Sequence, residues 1–310
     1  MEEKIEIMNL LQSKKVLEHE LQSFAYGSVE IRENESNKYI YVHYREDGVA
    51  LTKYVGEYSD ELYNLVLNNN IKAKQLKKQI REITKKLKQL NYTEEELSEK
   101  VEQNIDFAKR HLVDTIYKQA ILEGVATTFA DTESIIEGGK VNNMTSEDIL
   151  KIVNLKHAWE FILNKNVILS DTNFALLCEI NKIVEEGFYY TAGKVRNTPV
   201  TIGGTTWKPD LPIESVIKEE LEEIFSKELD DIDRAIELLV YTMKKQIFID
   251  GNKRTAVIYS NHFLISKGKG IIAIPAELTE EFKDLLIPYY EGKDEKEIKN
   301  FIKEKCYMSI

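Results

Sequence analysis

The chain has 310 residues, of which 43% are hydrophobic and 31% are charged, so it can bury a core and is not of the disordered class. Its 42 basic and 53 acidic residues give a net charge of −11, which excludes a protein whose whole surface binds nucleic acid or an anionic membrane. Cys178 and Cys306 form no CxxC pair and the five histidines have no metal-ligand spacing, so we expect neither a zinc site nor a disulfide framework. Neither a signal peptide nor an apolar run of about 18 residues is present, so we expect no membrane contact and a cytoplasmic location.

The first hundred residues predict a helix, a β-hairpin and a long second helix. Residues 1–26 have helical spacing of their apolar positions. Residues 38–45 and 49–55 alternate with a period of two on either side of an acidic turn, which predicts two paired strands. Ser59 or Asp60 is a suitable cap for the helix that follows.

That second helix combines an apolar seam with a strongly basic composition. Residues 72–88 contain eight basic residues against one acidic residue, Glu82. Two interpretations stay open: a solvated helix face whose long side chains cover apolar surface, or a contact with nucleic acid or an acidic partner. The seam, with steps of four and three residues typical of a coiled coil, consists of Leu76, Ile80, Ile83, Leu87 and Leu90.

Beyond residue 91 the chain reads as mostly helical, after a break and a fresh helix start at 91–96. The exception is 193–212, where three glycines and three prolines indicate a small hairpin or flap. The net charge is −2 over residues 1–100 and −9 over the remainder, which supports a domain boundary near residue 100. Helices are predicted at 104–125, 146–164, 171–186, 214–226, 231–246, 253–268, 279–289 and 294–306, with a short extended piece at 271–274.

The segment 246–256 carries the residues best suited to chemistry. A tight turn over Asp250, Gly251 and Asn252 precedes a helix whose free N–H groups and positive dipole end point out of the loop. Lys253 and Arg254 oppose that dipole, and an anion bound at the helix N-terminus would relieve the conflict. Asp250 supplies the carboxylate that Mg²⁺ needs beside phosphates, so the segment predicts a nucleotide phosphate site, with an ordinary helix–turn–helix as the alternative.

The run Phe248-x-Asp-Gly-Asn-Lys-Arg254 resembles the signature of the Fic family, His-x-Phe-x-(Asp/Glu)-Gly-Asn-(Gly/Lys)-Arg, and Lys253 resembles the death-on-curing branch. The stretches 193–196 and 200–204 resemble the flap that precedes the catalytic helix in that family. The resemblance covers roughly residues 105–310. It implies a mainly α fold, a Fic-type helical bundle with a small β-hairpin flap, to which the N-terminal helix, hairpin and long helix are appended.

The resemblance also implies roles for individual residues. The family transfers AMP from ATP to a protein hydroxyl, and the death-on-curing branch transfers a phosphate. Asp250 would hold Mg²⁺, Lys253 and Arg254 would neutralise the charge of ATP or another nucleotide, and a protein substrate would add as a strand to the flap. The residues so assigned are Gln246, Asp250 and Arg254 as catalytic positions, Gly251, Asn252, Lys253 and Arg254 as the phosphate cradle, and Thr201, Ile202 and Gly203 as the target flap.

The sequence departs from the family pattern at three positions. Gln246 stands where the family has the histidine that takes a proton from the attacking hydroxyl, and an amide cannot take that proton. Val257 replaces an arginine of many members, which predicts that this helix face is core. Glu137 and Gly138 resemble the inhibitory Glu-Gly pair, although Glu133 stands at the motif's Ser/Thr position.

His262 lies about 12 Å along the helix from Arg254 and is predicted to be a packed histidine.

Two functions follow as hypotheses. The first is a Mg-nucleotide-binding, Fic-like protein of the nucleotidyltransferase or phosphotransferase type, with catalysis weakened, altered or lost through Gln246. The second is a non-catalytic nucleotide-binding module that contacts a protein or nucleic-acid partner through the basic helix at 72–88.

Overall fold

The computed structural model describes residues 23–34, 37–46, 49–90, 97–142 and 144–310, together with positions 6, 9, 10, 13, 14, 16–18, 20 and 21. The chain divides into two compact units, 1–96 and 97–310. The predicted break at 91–96 lies outside the described residues. Within these ranges, no helix combines the length and the apolar character needed to cross a membrane.

The first unit contains an antiparallel sheet of three strands, β1 (Ser28–Asn34), β2 (Asn37–Glu46) and β3 (Val49–Glu57), in the order β1-β2-β3. The predicted hairpin is confirmed as β2 and β3. β1 was not predicted, and it adds a partner to the free edge of β2. The described positions between 6 and 21 are helical, as the apolar spacing predicts.

The long helix α1 (Asp60–Gln89) follows the sheet. It begins at Ser59, whose hydroxyl accepts a hydrogen bond from the N–H of Leu62 at 3.1 Å. Val66 packs with Ile40 and Val42 of β2 in a small core. The predicted seam is confirmed by burial, because Leu76 and Leu87 are buried and Ile80, Ile83 and Leu90 are half-buried.

The second unit is a helical bundle. The predicted helix at 104–125 is in fact two helices that meet at His111. The stretch 132–138, which resembles the family's inhibitory helix, is helical from residue 129 to residue 136. The helices are α2 (Glu99–Arg110), α3 (Leu112–Leu122), α4 (Phe129–Ile136), α5 (Ser146–Ile162), α6 (Lys165–Ile168), α7 (Phe174–Val184), α8 (Glu214–Ser226), α9 (Asp231–Lys245), α10 (Asn252–Ser266), α11 (Thr279–Tyr290) and α12 (Lys296–Phe301).

Shorter elements complete the second unit. The predicted extended piece near 271 is confirmed as β4 (Ile271–Ile272), which pairs antiparallel with β5 (Tyr307–Met308). A 3₁₀ turn (Ala276–Leu278) precedes α11, and a π-helical turn (Ile302–Cys306) follows α12.

Helix α10 lies at the centre of the bundle and is buried along almost its whole length. It packs against α9 and α7 and also contacts α2, α5 and α6. Asn261 ties it to β4, because its amide donates to the carbonyl oxygen of Ile272 at 2.7 Å and accepts from the N–H of the same residue at 2.8 Å. A helix fixed on all sides in this way holds its N-terminus, and the loop before it, in one position.

His262 of α10 is a packed histidine, as predicted. Its side chain is buried, with Nδ1 2.8 Å from the hydroxyl of Thr172 and Nε2 2.9 Å from the carbonyl oxygen of Val167. Burial lowers the pKa of His262, which favours the neutral ring. Val257 is also buried in the core, so the expectation that this face of α10 is apolar is confirmed.

Candidate functional site at the N-terminus of helix α10

The loop between α9 and α10 is bracketed by two residues in the left-handed region. Gln246 ends α9 with a φ of 48°, and Gly251 begins α10 with a φ of 72°. Ile247 and Phe248 between them are buried and anchor the loop in the core. The loop therefore turns sharply and presents its remaining side chains outward.

Asn252 closes this loop. Its Oδ1 accepts from the N–H of Phe248 at 3.0 Å, and its Nδ2 donates to the carbonyl oxygen of Phe248 at 2.9 Å. The side chain of Asn252, predicted to cradle phosphates, thus shapes the backbone of the loop. The main-chain N–H groups of the first helical turn have no partner within the helix and stay available to an anion.

The side chain of Gln246 is held by its neighbours. Its Nε2 donates to the carbonyl oxygen of Met243 at 2.6 Å, and its Oε1 accepts from Nδ2 of Asn252 at 3.3 Å. An amide in this position is able to orient a hydroxyl but has no basic lone pair with which to remove its proton.

Asp250 is the exposed carboxylate of the loop. Its side chain is 52% exposed, its Oδ1 accepts from the N–H of Gly251 at 2.7 Å, and Nδ2 of Asn181 fixes its main-chain oxygen at 3.1 Å. Among the described residues, no group of three or more His, Cys, Asp or Glu side chains is arranged to hold a metal ion. A single carboxylate beside a phosphate site fits Mg²⁺, which is commonly bound by one or two carboxylates together with substrate phosphates and water.

The guanidinium of Arg254 is buried, and its predicted role in neutralising phosphates stays a prediction. Its side chain is only 2% exposed, and its Nη2 lies 2.7 Å from Oε1 of Glu185 and 3.7 Å from Oδ2 of Asp250. Its Nε lies 3.5 Å from Oε2 of Glu123. Arg254 therefore contacts carboxylates on the buried side of the loop, where its charge is partly compensated.

Lys253 is the cation that reaches the open side of the loop. Its side chain is 30% exposed, and its Nζ lies 3.4 Å from Oε1 of Glu123. The ammonium group is therefore partly compensated, and it is still accessible to an anion.

Sequence reasoning missed Glu123 and Glu185, which come from distant parts of the chain. Each is the C-cap residue of a helix, Glu123 of α3 and Glu185 of α7. A carboxylate at the negative end of a helix dipole is unfavourable unless a cation lies close by. A glutamate at the end of each helix was therefore the feature of the sequence that indicated a nearby cation.

Glu185 lies directly behind the loop. Its side chain is 2% exposed, and a Cβ atom placed on Gly251 would lie 2.3 Å from its Oε1. Burial raises the pKa of Glu185 to about 7, while the charge of Arg254 opposes this rise. Only a glycine fits between this carboxylate and the outer surface of the loop.

A cavity of about 500 Å³ opens beside the loop. The structure brings the predicted residues Thr201, Ile202, Gly203, Gln246, Asp250, Asn252 and Lys253 together on its wall, but not Gly251, Arg254 or Glu137. The remaining wall is formed by Glu123, Val200, Gly204 and Ile249, and by Lys283, Leu286, Ile287 and Tyr290 of α11.

The flap at 193–212 is irregular. All of its residues are described, and none of them belongs to a paired strand, so the predicted hairpin is wrong while the alternative, a flap, holds. Pro199, Pro209 and Pro212 have no N–H donor and disfavour strand pairing.

Arg196 ties the flap to the loop. Its buried guanidinium donates to the carbonyl oxygens of Gln246 at 2.6 Å, Thr198 at 2.8 Å and Asp210 at 2.6 Å. The flap and the loop are therefore one connected wall of the cavity.

Glu137, the predicted inhibitory residue, is the exposed C-cap of α4 and does not line the cavity. Glu123, by contrast, lies on the cavity wall and contacts both Lys253 and Arg254. Glu123 is also followed by a glycine, Gly124, and the inhibitory role of Glu137 stays a prediction.

Comparison with known proteins supports the resemblance. Residues 171–264 match the model of the Fic/DOC family, a span that includes the entire loop. The chain thus contains a Fic/DOC family segment, and its predicted mainly α fold is confirmed. No curated protein sequence matches the chain.

Three solved structures share the fold. A Fic domain-containing signalling protein from Bacteroides thetaiotaomicron VPI-5482 is 18% identical with a TM-score of 0.54, and the match covers 67% of this chain and 86% of that one. Residues 134–508 of Fic-1 from C. elegans are 16% identical with a TM-score of 0.52, covering 79% and 77%. A Fic family protein from Desulfovibrio desulfuricans G20 is 12% identical with a TM-score of 0.52, covering 66% and 68%.

Proposed function

We propose that the cavity beside the loop binds the phosphates of ATP or another nucleotide, with Mg²⁺ held by Asp250. The observation that carries this proposal is the convergence of a helix N-terminus, the ammonium group of Lys253 and an exposed carboxylate on one wall of a cavity of about 500 Å³. When bound, the metal ion neutralises phosphate charge. Lys253 and the N–H groups of the first turn of α10 bind the phosphate oxygens.

The reaction we propose is transfer of AMP from ATP to a protein hydroxyl with release of pyrophosphate, or transfer of the terminal phosphate with release of ADP, the hydroxyl proton passing to solvent in either case. The flap residues Thr201, Ile202 and Gly203 line the same cavity and have no strand partner, so an extended segment of a target protein is able to pair with them beside the loop. Gln246, on the same wall, orients the attacking hydroxyl by hydrogen bonding and does not remove its proton.

The missing base determines how much activity we expect. Losing a general base typically lowers a rate by ~10²–10⁴-fold, whereas positioning and charge stabilisation persist. A second candidate is a nucleotide-binding module without catalysis. It is favoured because both polar atoms of the Gln246 amide already form hydrogen bonds within the protein. Both candidates require nucleotide binding at the loop.

Titration calorimetry with ATP, in the presence and absence of Mg²⁺, tests this proposal. We expect binding that depends on Mg²⁺, and a Lys253→Ala variant that binds roughly 10- to 100-fold more weakly, because a charge-assisted hydrogen bond contributes ~1.5–3 kcal/mol. Lys267→Ala is the matched control, since Lys267 is an exposed lysine that does not line this cavity. Absence of ATP binding, or equal affinity of the Lys253 and Lys267 variants, would contradict the phosphate assignment.

Glu123 competes with the nucleotide for the cation of the loop. We expect Glu123→Gln to raise ATP affinity about three- to tenfold, because Nζ of Lys253 then loses its carboxylate partner at 3.4 Å and is free to bind phosphate. Glu137→Gln is the control and should leave the affinity unchanged, since Glu137 is exposed and does not line the cavity. If Glu137→Gln raises the affinity and Glu123→Gln does not, the assignment of the competing carboxylate is wrong.

A further inference from the structure

A second group of side chains with binding character lies in the first unit. The rings of Phe24, Tyr26 and Tyr44 form a row, with centroids 6.1 Å apart for the first pair and 6.2 Å apart for the second. All three rings are half-buried, so each keeps part of its surface open to solvent. None of these three rings lines the cavity beside the loop.

Lysine side chains lie against two of these rings. Nζ of Lys77 is 4.5 Å from the ring centroid of Tyr26, and Nζ of Lys72 is 5.3 Å from that of Phe24. Lys72 also pairs with Glu20 at 2.7 Å, which is the one carboxylate in contact with these two ammonium groups among the described residues. The row thus combines aromatic faces with positive charge.

A pocket of about 240 Å³ opens at this row. For comparison, an apolar cavity of about 150 Å³ holds one benzene ring. The pocket therefore has room for one planar ring system. Its wall consists of Leu21, Phe24, Ala25, Tyr26, Val42, Tyr44 and Lys53.

A stripe of cations runs along α1 and passes beside Lys77. Its members are spaced by four and three residues, so they lie on one face of the helix, and all of them are exposed. Glu82 is the sole acidic residue between 72 and 88, and it lies 3.9 Å from the nearest stripe ammonium. The stripe consists of Lys74, Lys78, Arg81, Lys85 and Lys88, about 20 Å of helix.

We propose that the first unit binds single-stranded nucleic acid, with bases stacked on Tyr26 and Tyr44 and the phosphates running along the stripe. Aromatic platforms beside a positively charged track are the general means by which proteins bind single strands. In a duplex the base faces are already stacked and cannot reach half-buried rings. An acidic protein would form ion pairs with the lysines, but the row of rings would contribute nothing to its binding.

This surface also reconciles the proposal with the acidity of the chain. Most of the net charge of −11 lies beyond residue 100, whereas the stripe is locally basic. Electrostatic attraction to a phosphate backbone depends on charges within a Debye length, about 8 Å at physiological ionic strength. The stripe is thus able to bind phosphates although the whole chain is acidic.

Fluorescence anisotropy of the full chain tests the proposal, with labelled oligouridylate, oligothymidylate, a duplex of mixed sequence, and polyglutamate as competitor. We expect both single strands to bind better than the duplex, and the two single-stranded arms distinguish RNA from DNA. Tyr26→Ala and Tyr44→Ala should each weaken binding about fivefold or more, and Tyr26→Phe should retain it, because the stacking face remains. Tyr190→Ala is the matched control, since Tyr190 is 96% exposed and lies in the other unit.

The charge contribution is measured separately from the rings. We expect a variant that combines Lys74→Gln, Arg81→Gln and Lys85→Gln to have a shallower slope of log K against log salt concentration, by about 2. Each phosphate contact to a single strand contributes roughly 0.7 to that slope. The same number of changes at the exposed lysines 165, 293 and 296 should leave the slope unchanged. If a tyrosine variant fails to fold, the salt slope of the charge variant decides the question.

Several results would overturn the proposal. They are the absence of single-strand binding at low salt, equal or tighter binding of the duplex, and complete competition by polyglutamate at equal charge. Unchanged affinity in both tyrosine variants, with their thermal unfolding intact, would also exclude the stacking row. None of these results depends on nucleotide binding at the loop.

Discussion

Replacing Gln246 by histidine is expected to raise transfer to a protein hydroxyl by ~10²–10⁴-fold. The side chain at 246 lines the cavity beside Asp250 and Lys253, so an imidazole there would lie at the position that we propose for the attacking hydroxyl. The backbone tolerates the change, because residue 246 has a φ of 48° and histidine is among the non-glycine residues enriched in the left-handed region. Since the base is the neutral imidazole, the gain should increase as the pH rises through ~6.5.

Labelled ATP and candidate protein substrates measure this gain. Gln246→Asn is the control, because it keeps an amide at the same left-handed position and should give no increase. If neither the wild-type chain nor the histidine variant labels any protein although both bind ATP, the transferase proposal is wrong and the binding-module candidate is favoured.

Gly251→Ala is expected to lower the free energy of unfolding by roughly 3 kcal/mol or more and to abolish ATP binding. The new Cβ would lie 2.3 Å from Oε1 of Glu185, so this buried carboxylate must move and its 2.7 Å pair with Arg254 must break. The left-handed φ of 72° adds a further ~1–2 kcal/mol of backbone strain. Displacement of the loop also removes the N–H groups of the first turn of α10 from the phosphate position.

Gly138→Ala isolates the strain from the clash. Gly138 has a φ of 79°, and an added Cβ would meet no atom within 4 Å. We expect this variant to lose only ~1–2 kcal/mol and to keep its ATP affinity. Urea denaturation and calorimetry on both variants measure the difference. Equal losses at the two glycines would contradict the close packing of Glu185 behind the loop.

The local features of the fold were predictable from the sequence, because they depend on short-range patterns. The four–three spacing of α1, the alternation of β2 and β3 and the capping residue Ser59 each depend on neighbouring positions. The strand β1 was missed although Val29 and Ile31 alternate with polar residues, since the glycine and serine before them read as a break.

Of the residues at the candidate site, only those within the loop itself were predictable from the sequence. The outward positions of Asp250 and Lys253 follow from the turn and the helix start. The carboxylates of Glu123 and Glu185 and the anchor Arg196 are brought to the loop by tertiary packing, over separations that no local pattern encodes. For this reason the burial of Arg254 against two carboxylates was not predictable from the sequence.

Nucleotide phosphates are expected to bind at the N-terminus of α10, and a crystal structure of the chain with a non-hydrolysable ATP analogue and Mg²⁺ would show them there. We predict phosphate oxygens within ~3 Å of the N–H groups of residues 252 and 253 and of Nζ of Lys253, with a metal ion on Asp250. An ordered nucleotide in the larger cavity of about 1,010 Å³ that is bordered by Phe174, Phe225 and Phe263, with no phosphate at the loop, would contradict this assignment.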